Sequence, residues 1–383
     1  MPAETHPTNI DMLKKFSVSN FKCFGKELRF DLASSNGYAF NQSCVRDGIV
    51  NNCMVYGYNG CGKSNLGLAI FDIIGHLTDN HKDLRRYQNY LNACSSGNVA
   101  RFSYEFLLDG SSVRYEYEKS DYTVLVSEVL WINGRKIVHF DRADGNTHFE
   151  TALKGSETLN NAIEDSSLSV LKYIKNNTVL APNGENETFA RFFSFVEGML
   201  FFRSLEDRVY LGRDADINST ITAEIIKRDK IACFEHFLNE ANVKCKLSVV
   251  ETSHGPDIVF DYGERKLPIA SVMSTGTSAA MLFFYWLMQI QDAKVSMVFI
   301  DEFDAFYHRE LSEFVIRNLM QAGVQFIVTT HNTSLMSNSL MRPDCYYLMG
   351  NNKMLPLSQC TDKELREVHN IEKIYKAGGF HVG

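Results

Sequence analysis

At 383 residues the chain can bury one large core or two lobes, and 45% hydrophobic residues with only 7 prolines exclude a disordered or proline-rich architecture. The formal net charge is −7 and the basic residues fall only into short groups at 81–86 and 227–230, which read as solvated faces, so no general electrostatic grip on nucleic acid is advertised. Nine cysteines lie scattered without a Cys-x-x-Cys pair, which indicates neither a zinc site nor a disulfide framework and points to reducing cytoplasm.

Residues up to about 12 are polar, start without a signal peptide and read as loose; the strand-like run 16–24 follows. Asn52–Tyr56 has the pattern of a short buried strand, while Leu66, Ala69, Ile70, Ile73, Ile74 and Leu77 recur at helical spacing. Between the two, Gly57-Tyr58-Asn59-Gly60-Cys61-Gly62-Lys63-Ser64 fits the spacing G-x-x-x-x-G-K-[ST]. Such an octet alone is also a glycine turn joining a strand to a helix; the strand before it and the helix after it carry the phosphate-binding reading. The glycines let the loop turn so that backbone N–H groups face a β-phosphate, Lys63 sets a positive charge between the β- and γ-phosphates, and Ser64 offers a hydroxyl to Mg²⁺. The helix N-terminus adds its partial positive charge. The expected ATP contacts are Gly57, Asn59, Gly60, Cys61, Gly62, Lys63, Ser64 and Asn65.

Residues 100–108 and 113–117 alternate around Asp109-Gly110 as a hairpin, and 124–132 adds a strand before Asn133-Gly134. The tyrosines of this antiparallel unit could stack an adenine, but cross-strand packing is the simpler role. From 151 to about 240 the pattern is mostly helical without sustained heptads, which predicts a compact helical insertion whose Phe189–Val196 stretch is core. Residues 245–250 and 257–262 then pair as strands.

Met273-Ser274-Thr275-Gly276-Thr277 opens a dense apolar helix, in which Ala279–Ile290 is too short to span a bilayer. About twenty residues on, the apolar run 295–300 ends in Asp301-Glu302, and the run 324–330 delivers His331. A carboxylate pair closing a strand suits phosphoryl chemistry: Asp301 would hold the Mg²⁺ shell and Glu302 would polarise the attacking water.

These elements resemble the ABC-type ATPases of the RecF and SMC group, and more closely the AAA-type proteins related to the OLD and abortive-infection families. The opening Asn20-Phe21-Lys22, the segment Ile300–Asp304 with Tyr307–Leu311, and the closing segment Ile374–Phe380 resemble those of the group. Two departures stand out: Cys61 replaces a commoner serine, and no clear Q-loop glutamine is present, Gln88 being the nearest. The resemblance implies an α/β fold, an ABC-type P-loop NTPase with a mixed central sheet, an antiparallel β subdomain and a helical insertion. It makes Ser274, Thr275 and Gly276 a signature loop that reaches the γ-phosphate of a second subunit, although Ser274 alone is an ordinary helix N-cap. It makes His331 a γ-phosphate switch, so that Glu302, His331 and Lys63 are the expected catalytic set, with Ser64 and Asp301 on the metal and Asp304 in the dimer-interface loop.

The expected parts are 1–97 and 241–383 as two halves of one ATPase domain, 98–150 as the β subdomain and 151–240 as the insertion or lid. ATP and Mg²⁺ are the expected cofactors, and two chains are expected to sandwich two ATP molecules in a homodimer or higher oligomer. With no TOPRIM-like acidic cluster or HNH-type histidines after the ATPase domain, a nuclease or toxin effector is expected to be a separate protein. The function implied is a sensor ATPase of a prokaryotic anti-phage system, with a RecF-like DNA clamp as the alternative; DNA remains a possible partner and a membrane does not.

Overall fold

The computed structural model describes residues 11–33, 35–80, 82–142, 145–203, 210–212, 221–253, 255–292, 295–305 and 307–382. Strand β1 (Asp11–Ser19) is followed by β2 (Leu28–Asp31), the small pair β3 (Val45–Arg46) and β4 (Ile49–Val50), then β5 (Asn52–Gly57), helix α1 (Lys63–Phe71) and the short α2 (Ile74–Leu77). A meander of β6 (Ala100–Leu108), β7 (Ser111–Asp121), β8 (Val124–Ile132), β9 (Arg135–Asp141) and β10 (Glu150–Thr151) leads to α3 (Val170–Asn177), α4 (Gly184–Glu197), β11 (Met199–Arg203) and β12 (Tyr210–Gly212). Next come α5 (Ile221–Lys227), α6 (Ile231–Glu240), β13 (Leu247–Thr252), β14 (Gly255–Asp261), β15 (Lys266–Pro268), α7 (Ile269–Val272) and α8 (Thr275–Gln291). The chain closes with β16 (Met297–Asp301), α9 (Arg309–Ala322), β17 (Gln325–Thr329), β18 (Tyr346–Gly350), β19 (Lys353–Pro356) and α10 (Ile371–Lys376).

Two seven-stranded sheets organise these elements. One is wholly antiparallel, in the order β10-β9-β8-β7-β6-β1-β2; the other runs β12-β11-β16-β17-β5-β18-β19, with β11 through β18 parallel and antiparallel strands at both edges. The sequence patterns differ as the two kinds of sheet require. Every residue of β16 and β17 is buried, as in a parallel strand covered on both faces, whereas β6 and β8 alternate between core and solvent. The hairpins turn where glycine follows Asp or Asn: Asp109 and Gly110 have φ of 50° and 76°, Asn133 and Gly134 of 48° and 79°, the left-handed pair of a type I′ turn.

Helix α1 is clamped between the sheets. Gly67 faces the parallel one so closely that a Cβ would lie 2.6 Å from the rings of Phe201 and Phe299. Beyond its other end, Asp72 is fully buried and accepts hydrogen bonds from Tyr90 (2.9 Å), Tyr117 (2.9 Å) and Lys119 (2.7 Å) of the antiparallel side. Tyr104 donates to the carbonyls of Ala69 and Ile70. The tyrosines of the β unit stack across strands, as Tyr104 does on Tyr117, which is the packing expected, and they also bind the helix, which was not expected. The phenylalanines of α4 are likewise core, Phe192 and Phe195 meeting Phe106.

Three expectations about segment boundaries change. The antiparallel sheet is not confined to 98–150, because β1 and β2 complete it through the long β1–β6 pairing. The 151–240 stretch is not only helical: β11 lies beside β16 in the parallel sheet. Residues 1–10 lie outside the described residues, and ordered strand begins at Asp11. The pairing of β13 with β14, and the helix from Thr275, agree with the sequence reading. Among the described residues no helix is long and apolar enough to cross a membrane.

Removing Lys119 would strand the Asp72 carboxylate in the interior. Lys119→Met is expected to cost about 3–5 kcal/mol of unfolding free energy in urea titrations, while Arg101→Met, at the exposed Arg101–Glu118 pair, leaves the midpoint nearly in place. Equal midpoints for the two variants would mean that the buried pair does not hold α1 to the β unit.

Candidate functional site

The loop after β5 is shaped by its glycines. Gly60 and Gly62 take φ of 77° and 107°, and at Gly62 a Cβ would also strike Cys23 Sγ at 2.7 Å. This turns the chain sharply into α1, so that Lys63, Ser64 and Asn65 form its first turn. Lys63 is buried, and its Nζ donates to the carbonyls of Gly57 (2.9 Å) and Tyr58 (3.1 Å). A phosphate would exchange these neutral acceptors for charged oxygens, a stronger pairing for an ammonium. Burial holds the Lys63 pKa below the ordinary lysine range, while Cys61, Asp301 and Glu302 pull it upward. Asn65 donates to Cys23 Sγ at 3.1 Å, which ties the opening segment to the loop. On its other flank a cavity of about 500 Å³ separates Tyr58–Cys61 from the end of β18 and from Tyr375, Phe380 and His381 of the closing segment.

Parallel register brings the acid pair to the same end of the sheet. Ile300 pairs with Val328, Val328 with Met54, and Arg203 with Asp301, so the carboxyl ends of β11, β16, β17 and β5 are level. Ligands of open α/β sheets bind at that edge. Asp301 is buried, and its Oδ1 accepts from Thr329 Oγ1 at 2.7 Å. Among the described residues its Oδ2 accepts no hydrogen bond, and it lies 3.3 Å from Arg203 Nε. Glu302 turns away with φ 49°, donates its backbone N–H to Thr329 Oγ1 (2.8 Å) and accepts from Arg203 Nη2 (2.9 Å). Asp304 folds inward and accepts from Thr330 Oγ1 at 2.7 Å; burial raises its pKa.

His331, exposed after β17, feels both sides of the site. Burial first and Lys63 second lower its pKa, against Glu302, Asp304 and Asp301. Ser274 caps α8, accepting from the Thr277 N–H at 3.2 Å, and it stands exposed beside Thr275, with Gly276 half-buried. The Tyr307 hydroxyl donates to the Ala279 carbonyl and joins this helix to the loop after the acid pair. Gln88 is exposed; its carbonyl accepts from Lys22, and among the described residues no hydrogen bond joins its side chain to Asp301 or Ser64.

The donor set suits Mg²⁺ shared with phosphates: a buried carboxylate oxygen without a hydrogen bond at Asp301, and a hydroxyl at Ser64. Mg²⁺ typically takes one or two carboxylates and completes its shell with water and phosphate. No cluster of three His, Cys, Asp or Glu ligands is found among the described residues. Sequence reasoning missed Arg203, Thr329 and Thr330. Arg203 carried a usable signal, because Met199–Phe202 is an apolar run closed by a charge, as is the run before Asp301.

A glycine loop after β5 and an acid pair after β16, strands of one parallel sheet with β17 between them, together with a second sheet packed on α1, give the arrangement of a P-loop nucleotide-binding fold. The family model described as "AAA domain, putative AbiEii toxin, Type IV TA system" matches residues 54–337, well over half of the chain, and the chain belongs to this AAA-domain family. No curated protein matches it. Among solved structures it is similar to an SMC head bound to the C-winged helix domain of ScpA (15% identity, covering 91% of this chain and 98% of that one, TM-score 0.48). It is also similar to the SMC head domain from Thermotoga maritima (16%, 90% and 98%, TM-score 0.44) and to the recombination mediator RecF with ATP (13%, 90% and 99%, TM-score 0.41).

Loss of the Lys63 ammonium removes charge-assisted hydrogen bonds worth about 1.5–3 kcal/mol. Lys63→Ala is therefore expected to weaken MgATP binding by roughly 10- to 150-fold in calorimetric titration. In the nucleotide-free chain the same substitution should move the His331 titration upward in ring-proton NMR, since a cation opposing its protonation is gone. An unmoved histidine would show that His331 and Lys63 are not electrostatically coupled.

Proposed function

We propose that this chain hydrolyses ATP to ADP and phosphate and that the cycle serves as the sensor or regulatory step of a prokaryotic anti-phage system with a separate toxin or nuclease effector. The convergence of Lys63, Asp301 and Glu302 at one sheet edge carries the hydrolytic part. Lys63 and the N–H groups of the first α1 turn take the β- and γ-phosphate charge. Mg²⁺, held by Ser64 and Asp301, would neutralise charge on the same oxygens. Glu302 accepts a proton from the water that attacks the γ-phosphorus as the bond to the β-phosphate oxygen breaks. His331 donates to the γ-phosphate, and Ser274–Gly276 of a second copy closes over it, so that two chains share each site.

The defence role rests on less. The family description, with its "AbiEii toxin" and "Type IV TA system", supports a place in a toxin–antitoxin system, while the division between this chain and a separate effector rests on the sequence resemblance alone. The alternative, a clamp on duplex DNA, is equally consistent with the fold, and the charge of the antiparallel sheet bears only on which face it would use. The outer groove of the antiparallel sheet is lined by Glu27, Asp31, Glu105, Glu116 and Glu118 against Lys15, Arg29 and Arg101, and each of these cations is paired with an acid. A face that binds phosphates needs unpaired cations in excess.

Glu302→Gln is expected to retain ATP binding and lose turnover by about 10²–10⁴-fold in steady-state phosphate release. The unsubstituted rate should not respond to linear duplex DNA. Stimulation by DNA would transfer the assignment to the repair-type clamp, and undiminished turnover in Glu302→Gln would remove the glutamate from the chemistry.

A further inference from the structure

Arg203 ends β11 directly opposite Asp301, and its guanidinium spans both acids, with Nη2 2.9 Å from Glu302 Oε2 and Nε 3.3 Å from Asp301 Oδ2. The three side chains are largely shielded: Asp301 is 1% exposed, Arg203 21% and Glu302 26%. Two adjacent carboxylates in such a place repel one another unless a cation stands between them. Lys63, a second cation near the pair among the described residues, is engaged with the carbonyls of its own loop.

The two halves of the guanidinium contact are unequal. Toward Glu302 it is a hydrogen bond of ordinary length. Toward Asp301 it is an ion pair in which Oδ2 accepts no hydrogen bond. The Asp301 half is the one a divalent cation can replace, because direct coordination satisfies an oxygen that Nε only approaches. The Glu302 half can persist through that exchange and keep the carboxylate aimed.

We infer that Arg203 is the internal counter-cation of the Asp301–Glu302 pair: it competes with a divalent metal for Asp301 Oδ2 and positions the Glu302 carboxylate. The inference rests on the reading of these acids as the hydrolytic pair, and it makes Arg203 a positioning residue. Asp301 Oδ2 would hold a divalent metal only by giving up the Arg203 Nε contact, an exchange that phosphate oxygens supplying further ligands would favour. The arrangement ties metal entry to nucleotide.

The test uses the full chain and Mn²⁺ as the probe, with free Mn²⁺ followed by electron paramagnetic resonance in the absence of nucleotide. Arg203→Met keeps most of the side-chain length and removes the charge. It should bind Mn²⁺ at least about tenfold more tightly than the unsubstituted chain, the scale expected when a competing unit charge leaves a partly buried carboxylate. Adding Asp301→Asn should abolish the gain. Phosphate release by Arg203→Met should fall, and Arg203→Lys, which keeps the charge but loses the fork, should restore weak Mn²⁺ binding while recovering turnover only in part. Unchanged or weaker Mn²⁺ binding in Arg203→Met, with native circular dichroism, would overturn the inference. If that variant does not fold, Arg203→Gln serves in its place, with the same sign required. Absence of ATP turnover in the unsubstituted chain would instead count against the hydrolytic reading, and it leaves the Mn²⁺ comparison intact.

Discussion

The site depends on the parallel register of four strands. Because β5, β17, β16 and β11 pair in step, the loop that opens α1, the acid pair, the two threonines before His331 and the arginine at the end of β11 all emerge at one edge. A slip of one residue in any pairing would turn alternate side chains to the other face and separate the groups. Complete burial of β16 and β17 makes such a slip costly, so the core packing that stabilises the sheet also sets the geometry of the phosphate and metal groups.

Helix α1 connects that edge to the rest of the molecule. Its first turn faces the phosphate loop, its middle lies against Phe201 and Phe299 through Gly67, and the residue that follows it, Asp72, is held by Lys119 and Tyr117 of the antiparallel sheet and by Tyr90 of the loop before it. The same helix therefore joins the loop to the β unit through buried, closely packed contacts.

Local signals were legible in the sequence where chemistry and spacing coincide. The octet at Gly57, the apolar run ending in Asp301-Glu302, the Asp-Gly and Asn-Gly turns and the N-cap at Ser274 each depend on neighbours within a few residues, and each stands where the pattern placed it. What was missed depends on contacts between distant segments. β1 joins the antiparallel sheet by pairing with β6 across the whole phosphate-loop segment, and nothing local in either strand names the other. β11 is a five-residue strand beside a phenylalanine-rich helix, so its apolar run merges with the helical pattern. Arg203 gains its meaning only when β11 lies against β16. Gln88, proposed from position alone, gives a carbonyl to Lys22 and no side-chain bond to the acid pair among the described residues.

The central claim is that each ATP is hydrolysed between two chains, one supplying Lys63 and the acid pair and the other supplying Ser274. Mixing two inactive variants, Lys63→Ala and Ser274→Arg, tests it most directly. Random pairing of equal amounts forms mixed dimers in which the phosphate loop of one variant meets the signature loop of the other, so that about a quarter of all sites are intact in a symmetric dimer. The account predicts recovery to about a quarter of the unsubstituted hydrolysis rate. No recovery on mixing, with dimers demonstrated by light scattering, would contradict the shared site.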